Sequence, residues 1–285
     1  MSDLLGEIIR RHARPLEPIP TNESPRLSKL PGIRAVIFDI YGTLLISASG
    51  DIGLSSARGT SDTAIDRWVS ELGFTPPVHG VRAALADAIK KAHQHARAQG
   101  AGCPEVVIEE IWGQLYPHAT DAELRRLALA YELRVNPVWP MPGLASCLES
   151  LRKTSVRLGI VSNAQFYTPL ILAHFLEGPL HQSGFLENLC FFSYRLGRAK
   201  PGAALYQAAK MGLQECGIAP CEAVMVGNDR RNDVAAARLA GFQTVLFAGD
   251  QRSLRWRRDD PDWATAQPDM VITDLRQLSE HLQMK

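Results

Sequence analysis

The chain contains no apolar run long enough to cross a membrane as a helix. Asp39 interrupts the most hydrophobic candidate, and a span needs about 18 or more such residues. The first residues carry Asp3 and Glu7 and lack the apolar centre of a secretory signal. The five cysteines, Cys103, Cys147, Cys190, Cys216 and Cys221, are odd in number and never spaced as CxxC. That argues against a disulfide framework or a zinc site and for a reduced, cytoplasmic setting. Net charge is nearly absent too: 31 Lys and Arg against 30 Asp and Glu leave +1, so no global field draws nucleic acid or a membrane surface, and neither is expected as a partner. The one basic cluster, Arg252, Arg255, Arg257 and Arg258, runs straight into Asp259, Asp260 and Asp262 and reads as a solvated loop. No internal repeat is visible. No GxGxxG follows the first predicted strand, which removes most support for a dinucleotide-binding protein.

What is present starts with a short apolar run, Val36, Ile37 and Phe38, that delivers Asp39 into a Gly42-Thr43 turn. β-Branched and aromatic residues bounded by a turn signal predict a strand buried on both faces, with Asp39 at its carboxyl end. Open α/β sheets bind ligands outside those ends, so Asp39 is a candidate nucleophile or metal ligand. Equally, on this segment alone, it is a turn residue accepting backbone N–H bonds.

At 285 residues and 46% apolar composition, the chain suits roughly two domains with a substantial core. Residues 1 to 31 read as an appendage: a short amphipathic helix and a Pro-rich extended connector. Residues 47 to 62 are rich in Ser, Gly and Ala, as a hinge or surface loop would be. Helical composition then fills 63–72, 81–98, 105–115 and 121–133, and a Pro-rich crossing near residue 140 leads back. Beyond Gly143, strands and helices alternate, the mark of a parallel sheet with crossover helices. The expected fold is α/β, a Rossmann-like parallel sheet (residues 32–46 and 141–285) carrying an inserted all-helical cap (47–140).

Three further apolar runs end in residues of chemical interest. Ser162 and Asn163 follow one strand, where a hydroxyl and an amide suit hydrogen bonds to a phosphoryl oxygen or form a plain turn. Lys200 precedes Pro201, which favours an extended backbone that aims the ammonium inward, although a lone lysine is more often solvated. Gly227, Asn228, Asp229, Asn232 and Asp233 form an acidic loop entering a helix; its hard oxygens suit Mg²⁺, or cap the helix. His93 and His95 sit two apart on a predicted helix and face different ways, which disfavours a metal pair.

Together, Asp39 in Asp-Ile-Tyr-Gly-Thr, Ser162, Lys200 in Lys-Pro and the loop from Gly227 to Asp233 resemble the four motifs of the haloacid dehalogenase superfamily of hydrolases, in order and spacing. The resemblance implies a mobile cap over a Rossmann-like core and nucleophilic catalysis by Asp39. In the phosphatase branch it implies an aspartyl-phosphate on Asp39 and a small phosphorylated substrate. It also implies Mg²⁺ held by Asp39, the Tyr41 main-chain carbonyl, Asn228 or Asp229, and Asp233. Lys200 would supply compensating charge, and Ser162, Asn163 and Thr43 would hold phosphoryl oxygens.

One departure matters. Family phosphatases carry a second aspartate two residues after the nucleophile as general acid and base, and here that residue is Tyr41. A phenol with a pKa of about 10 is a poor base near neutrality. Tyrosine there resembles the metal-independent 2-haloacid dehalogenases, whose fourth motif is rich in Ser and Asn. Against that reading, Asn228 and Arg230 depart from the dehalogenase pattern, and the extra Asp229 would repel a carboxylate substrate unless a cation neutralised it. The metal-dependent phosphatase is therefore the first expectation, the dehalogenase-type hydrolase the second, and an impaired binding or scaffold protein the third. Specificity is expected from cap and hinge, with Trp68, Trp112, Tyr116 and Trp139 as candidate pocket aromatics that equally suit a core.

Overall fold

The computed structural model describes residues 2–49, 61–260 and 266–284; most of the loop expected over residues 47 to 62, and Asp262, lie outside them. A six-stranded parallel sheet forms the centre. Its strands are β2 (Ala35–Phe38), β5 (Arg157–Ser162), β6 (Phe185–Phe192), β7 (Ala223–Gly227), β8 (Gln243–Phe247) and β9 (Met270–Ile272), in the order β6-β5-β2-β7-β8-β9. Every side chain of β2 is buried, which explains why its sequence reads as a continuous apolar run rather than an alternating one. Phe38 lies opposite Ile160 of β5 on one side and Val226 of β7 on the other. That register brings Asp39, Ser162 and Gly227 to one end of three adjacent strands. β5 and β7 flank β2 on opposite sides, the reversal of strand order at which open α/β sheets form a ligand crevice.

Among the described residues, four helices lie between β3 (Leu45–Ser47) and β4 (Val138–Pro140): α2 (Asp62–Glu71), α3 (Val81–Ala98), α4 (Ile108–Leu115) and α5 (Asp121–Val135). Thr120 and Glu123 make a reciprocal capping box at the start of α5, satisfying two backbone N–H groups the helix cannot. Trp112 is fully buried, stacked on Tyr116 and edge-on to Tyr131, so this pair of expected pocket aromatics builds the insert's own core. The outgoing β3 and returning β4 pair antiparallel, Leu45 opposite Pro140, so both crossings run side by side.

Residues 2 to 31, read from sequence as an appendage, pack along the rest of the chain. Helix α1 (Ser2–His12) buries Ile9 and packs on both α5 and the helix Tyr167–Phe175, because its apolar stripe needs a partner surface. The chain then crosses to residues 250–252, where Ile19 N donates to Asp250 Oδ1 (3.1 Å) and Gln251 N donates to Ile19 O (2.9 Å). Further on, Arg26 bridges Val271 on the outer edge of β9, and β1 (Leu30–Ile33) pairs with β10 (Leu282–Met284). Backbone pairing of this kind blunts an otherwise open sheet edge.

One buried acid stands at the junction of insert and core. Glu132 of α5 is 4% exposed, and its carboxyl accepts hydrogen bonds from Asn136 Nδ2 (3.0 Å) and Tyr167 Oη (3.1 Å). Asn136 Oδ1 in turn accepts from Ser47 Oγ (2.9 Å) and Ser49 N (3.1 Å), so one amide ties both crossings together. Burial raises the Glu132 pKa above its ordinary 4.5, only partly offset by its two hydrogen bonds. The native state therefore holds this proton to higher pH than the unfolded chain, and stability falls as pH rises from about 4.5 towards the raised value. Glu132→Gln keeps groups able to bond both partners and removes that decline. In thermal melts the variant's advantage over the parent protein is expected to be larger at about pH 8 than at about pH 5.

Candidate active site

The site grows from the three strand ends. Asp39 N donates to Val226 O (2.9 Å), continuing the β2 ladder one residue past the strand and setting the carboxylate over the crevice. Gly42 follows with φ +80°, and a Cβ there would approach Ser253 Cβ to 2.4 Å, so the turn requires glycine twice over. Gly227 is equally constrained: a Cβ would lie 2.3 Å from Asp233 Cγ. Its absence lets the Asp233 carboxylate fold back over the end of β7. Asp229 N donates to Asp233 Oδ2 (2.9 Å), and residues Arg230–Ala235 form a wide π-type turn leading into the helix Ala236–Leu239, which brings Asp233 under the sheet end.

Lys200 reaches in from the opposite side and is 6% exposed. Its ammonium donates to Asp39 Oδ1 (2.8 Å), Asp233 Oδ1 (2.6 Å) and Val161 O (3.0 Å), which uses all three protons. Burial alone would lower its pKa, but the attraction of Asp233 and Asp39 outweighs that and the net shift is upward, so the ammonium stays charged. Asn163 fixes where this lysine starts: its Oδ1 accepts from Lys200 N (2.7 Å) and its Nδ2 donates to Lys200 O (3.3 Å). Ser162 Oγ donates to the same Asp39 oxygen as the ammonium does (2.9 Å). Asp39 Oδ2 takes no hydrogen bond from any described residue, which leaves one oxygen for chemistry.

The remaining candidates take less expected places. Thr43 Oγ1 donates to Asn228 Oδ1 (3.2 Å) and Asn228 Nδ2 to Ser253 O (2.6 Å), so both side chains brace loops against each other. Asp229, expected as a possible metal ligand, is instead the cap of the following turn, accepting from Arg231 N (2.8 Å) and Asn232 N (3.1 Å). Both its oxygens are also gripped by Arg257, through Nε (2.9 Å) and Nη2 (2.6 Å). Burial would raise its pKa, but Arg257 and the two backbone donors outweigh that and hold it below the usual carboxylate range. Arg257 thus supplies the neutralising cation for Asp229, and the reading of residues 252 to 258 as merely solvated is overturned. Arg255 and Arg257 line the crevice beside Asp39, Lys200 and Asp233. The excess carboxylate was the legible signal, since a buried Asp229 demands a cation and that cluster is the nearest supply.

Tyr41 points away from acid–base work. It is buried, its Oη shares a hydrogen bond with Thr168 Oγ1 (3.2 Å), and burial, then the charge of Glu132, pushes its pKa well above 10. For Mg²⁺ the donor set is chemically apt: the carboxylates of Asp39 and Asp233, the Asn228 amide and the Tyr41 main-chain carbonyl are all hard oxygens. Three carboxylates and three cations line the crevice, so without a further cation it carries no net positive charge for an anionic substrate.

A parallel sheet with a carboxylate-lined crevice at its strand ends places the chain among α/β proteins that bind ligands at that edge. The family model "haloacid dehalogenase-like hydrolase" matches residues 33–241, and the chain belongs to that family. It is 33% identical over 156 residues to a phosphoserine phosphatase of Thermus thermophilus, covering 54% of this chain and 55% of that one. It is 27% identical over 232 residues to a phosphoglycolate phosphatase of Escherichia coli, covering 77% and 82%. The chain thus spans little more than half the length of the first of these curated relatives. Among solved structures, a 2-haloacid dehalogenase from Pseudomonas syringae pv. tomato aligns with a TM-score of 0.55 at 21% identity, covering 87% of this chain and 97% of that one, a likeness of fold alone.

Two substitutions separate the roles. Lys200→Met strands two buried carboxylates and is expected to cost about 3–5 kcal/mol of stability and at least roughly 10²-fold in turnover. Tyr41→Phe loses only the bond to Thr168, about 1 kcal/mol. Because its phenol is no acid or base at working pH, turnover should stay within about three-fold. Denaturant melts and steady-state kinetics on the two variants check both.

Proposed function

We propose that the chain is a Mg²⁺-dependent phosphatase that hydrolyses a small phosphate monoester through an aspartyl-phosphate on Asp39. The observation that carries this is the state of Asp39: one oxygen held by Lys200 and Ser162, the other without a partner at the mouth of a polar crevice. The free oxygen attacks phosphorus while the held one keeps the carboxylate from rotating. Ser162 and Lys200 then lie within reach of the transferred group's oxygens, and water hydrolyses the acyl phosphate to regenerate the acid. Bound by Asp39, Asp233, Asn228 and the Tyr41 carbonyl, Mg²⁺ would offset the repulsion between an anionic nucleophile and an anionic substrate. The two relatives named above, a phosphoserine and a phosphoglycolate phosphatase, support the choice of a small substrate. In this reading the helical insert acts as the cap.

Because Tyr41 replaces the usual acid, the leaving oxygen departs without a side-chain proton donor, and aryl phosphates should outpace alkyl phosphates by about 10²-fold or more. A second reading has its own support. Tyr41 is inert, and the repulsive Asp229 that counted against a dehalogenase is neutralised by Arg257, so attack of Asp39 on a carbon bearing halide stays open to this site. Hydrolysis of an aryl phosphate with Mg²⁺ or with EDTA, beside halide release from a 2-haloacid, separates them. The expected result is phosphate release that EDTA abolishes and Mg²⁺ restores. Halide release indifferent to EDTA, with no phosphate release, would overturn the proposal.

A further inference from the structure

The segment at residues 250–257 is held from both sides. On the inner side it forms a short ladder with the acidic loop: Arg255 N donates to Asn228 O (2.9 Å), Arg230 N donates to Arg255 O (2.9 Å), and Asn228 Nδ2 reaches Ser253 O. On the outer side Asp250, 1% exposed, accepts from Ile19 N and pairs with Arg252 (2.9 Å), whose guanidinium also donates to Glu17 O (2.9 Å). A loop gripped by both the catalytic turn and the N-terminal segment is a rigid wall, and it presents Ser253, Arg255 and Arg257 to the crevice that holds Asp39. The wall adds two guanidiniums to the crevice: Arg257, forked onto Asp229, and Arg255, which donates through Nη1 to Arg252 O (2.8 Å) and Leu254 O (3.1 Å).

The decisive residue is Ser253. It is 1% exposed and lines the crevice, yet its Oγ makes no hydrogen bond within the described structure. A buried hydroxyl without a partner lowers stability and asks for an explanation. Since nothing holds its rotamer, a turn about χ1 that breaks no bond would aim it at a bound group. A neutral hydroxyl and planar guanidiniums lining one crevice suit a carboxylate or a second phosphate, which accepts from both.

We propose that Ser253, Arg255 and Arg257 form a subsite on the core, not on the helical insert, for a second acidic group of the substrate next to the scissile phosphate. The inference rests on the phosphatase reading and narrows its substrate class to phosphate monoesters of small acids. Phosphoglycolate and ethyl phosphate test it, because they differ only by a carboxylate in place of a methyl. The ratio of their kcat/KM values is measured for the parent protein, Ser253→Ala and Arg255→Gln, with orthophosphate inhibition and thermal melts of each.

The parent should prefer the acidic ester, and each variant should lose about ten-fold or more of that preference. Ser253→Ala, relieved of an unsatisfied hydroxyl, should melt no lower than the parent without ligand, and higher by about 2 °C if the full cost is recovered. An unchanged ratio in both variants, or equal losses on both esters, would overturn the subsite and leave the phosphatase reading intact. A parent protein that neither hydrolyses these esters nor is protected by orthophosphate would overturn both.

Discussion

A single ammonium group holds this site together. Lys200 sits where β2, β5 and β7 end and gives its three protons to Asp39, Asp233 and the Val161 carbonyl. Without it, two carboxylates would face each other in a place water hardly reaches, and breaking such a buried pair costs about 3–5 kcal/mol. Much of the local architecture serves that contact. Asn163 clamps the lysine's own peptide groups, Gly227 leaves room for Asp233 to fold back, and the parallel register sets three strand ends level.

A second charge pair repeats the pattern one shell outward. Asp229 caps the turn that carries Asp233 and is held by the Arg257 fork, so the acidic loop is pinned at both of its carboxylates. The wall that supplies Arg257 is itself secured by the N-terminal segment through Asp250. Residues far apart in the chain therefore fix one loop, and the distance from Ile19 to Asp250 in sequence is why this dependence stays invisible before folding. The buried cluster of Glu132, Asn136 and Tyr167 does the corresponding work at the crossings to the helical insert.

Much was legible from residue order. The strand carrying Asp39 reads as a buried run because both its faces are covered, and the helix at residues 81 to 98 matches the expected bounds because its period and composition agree. Asp39, Ser162, Asn163, Lys200 and Asp233 meet as the motif order suggested. What escaped depends on long-range pairing. β1 and β10 are short segments from the two ends of the chain that exist only through each other. Arg257 looked solvated because local charge alternation cannot show that its partner is Asp229, and Ser253 carries no local signal at all. The helix that the acidic loop was expected to enter starts with a π-type turn over Arg230–Ala235, a widening that periodicity does not encode.

Tyr41 concentrates the chemistry in one place. With its phenol buried and bound to Thr168, Tyr41 offers neither acid nor base at working pH, so in the proposed mechanism the bond-making falls to Asp39. The direct measurement is to quench the Mg²⁺-loaded protein during turnover of an aryl phosphate, reduce it with borohydride and map the product by peptide mass spectrometry. Homoserine at position 39, and nowhere else, is the expected result, because borohydride reduces an acyl phosphate on Asp39 to that residue. Phosphate release with Asp39 recovered unmodified and another residue carrying the label would contradict the account.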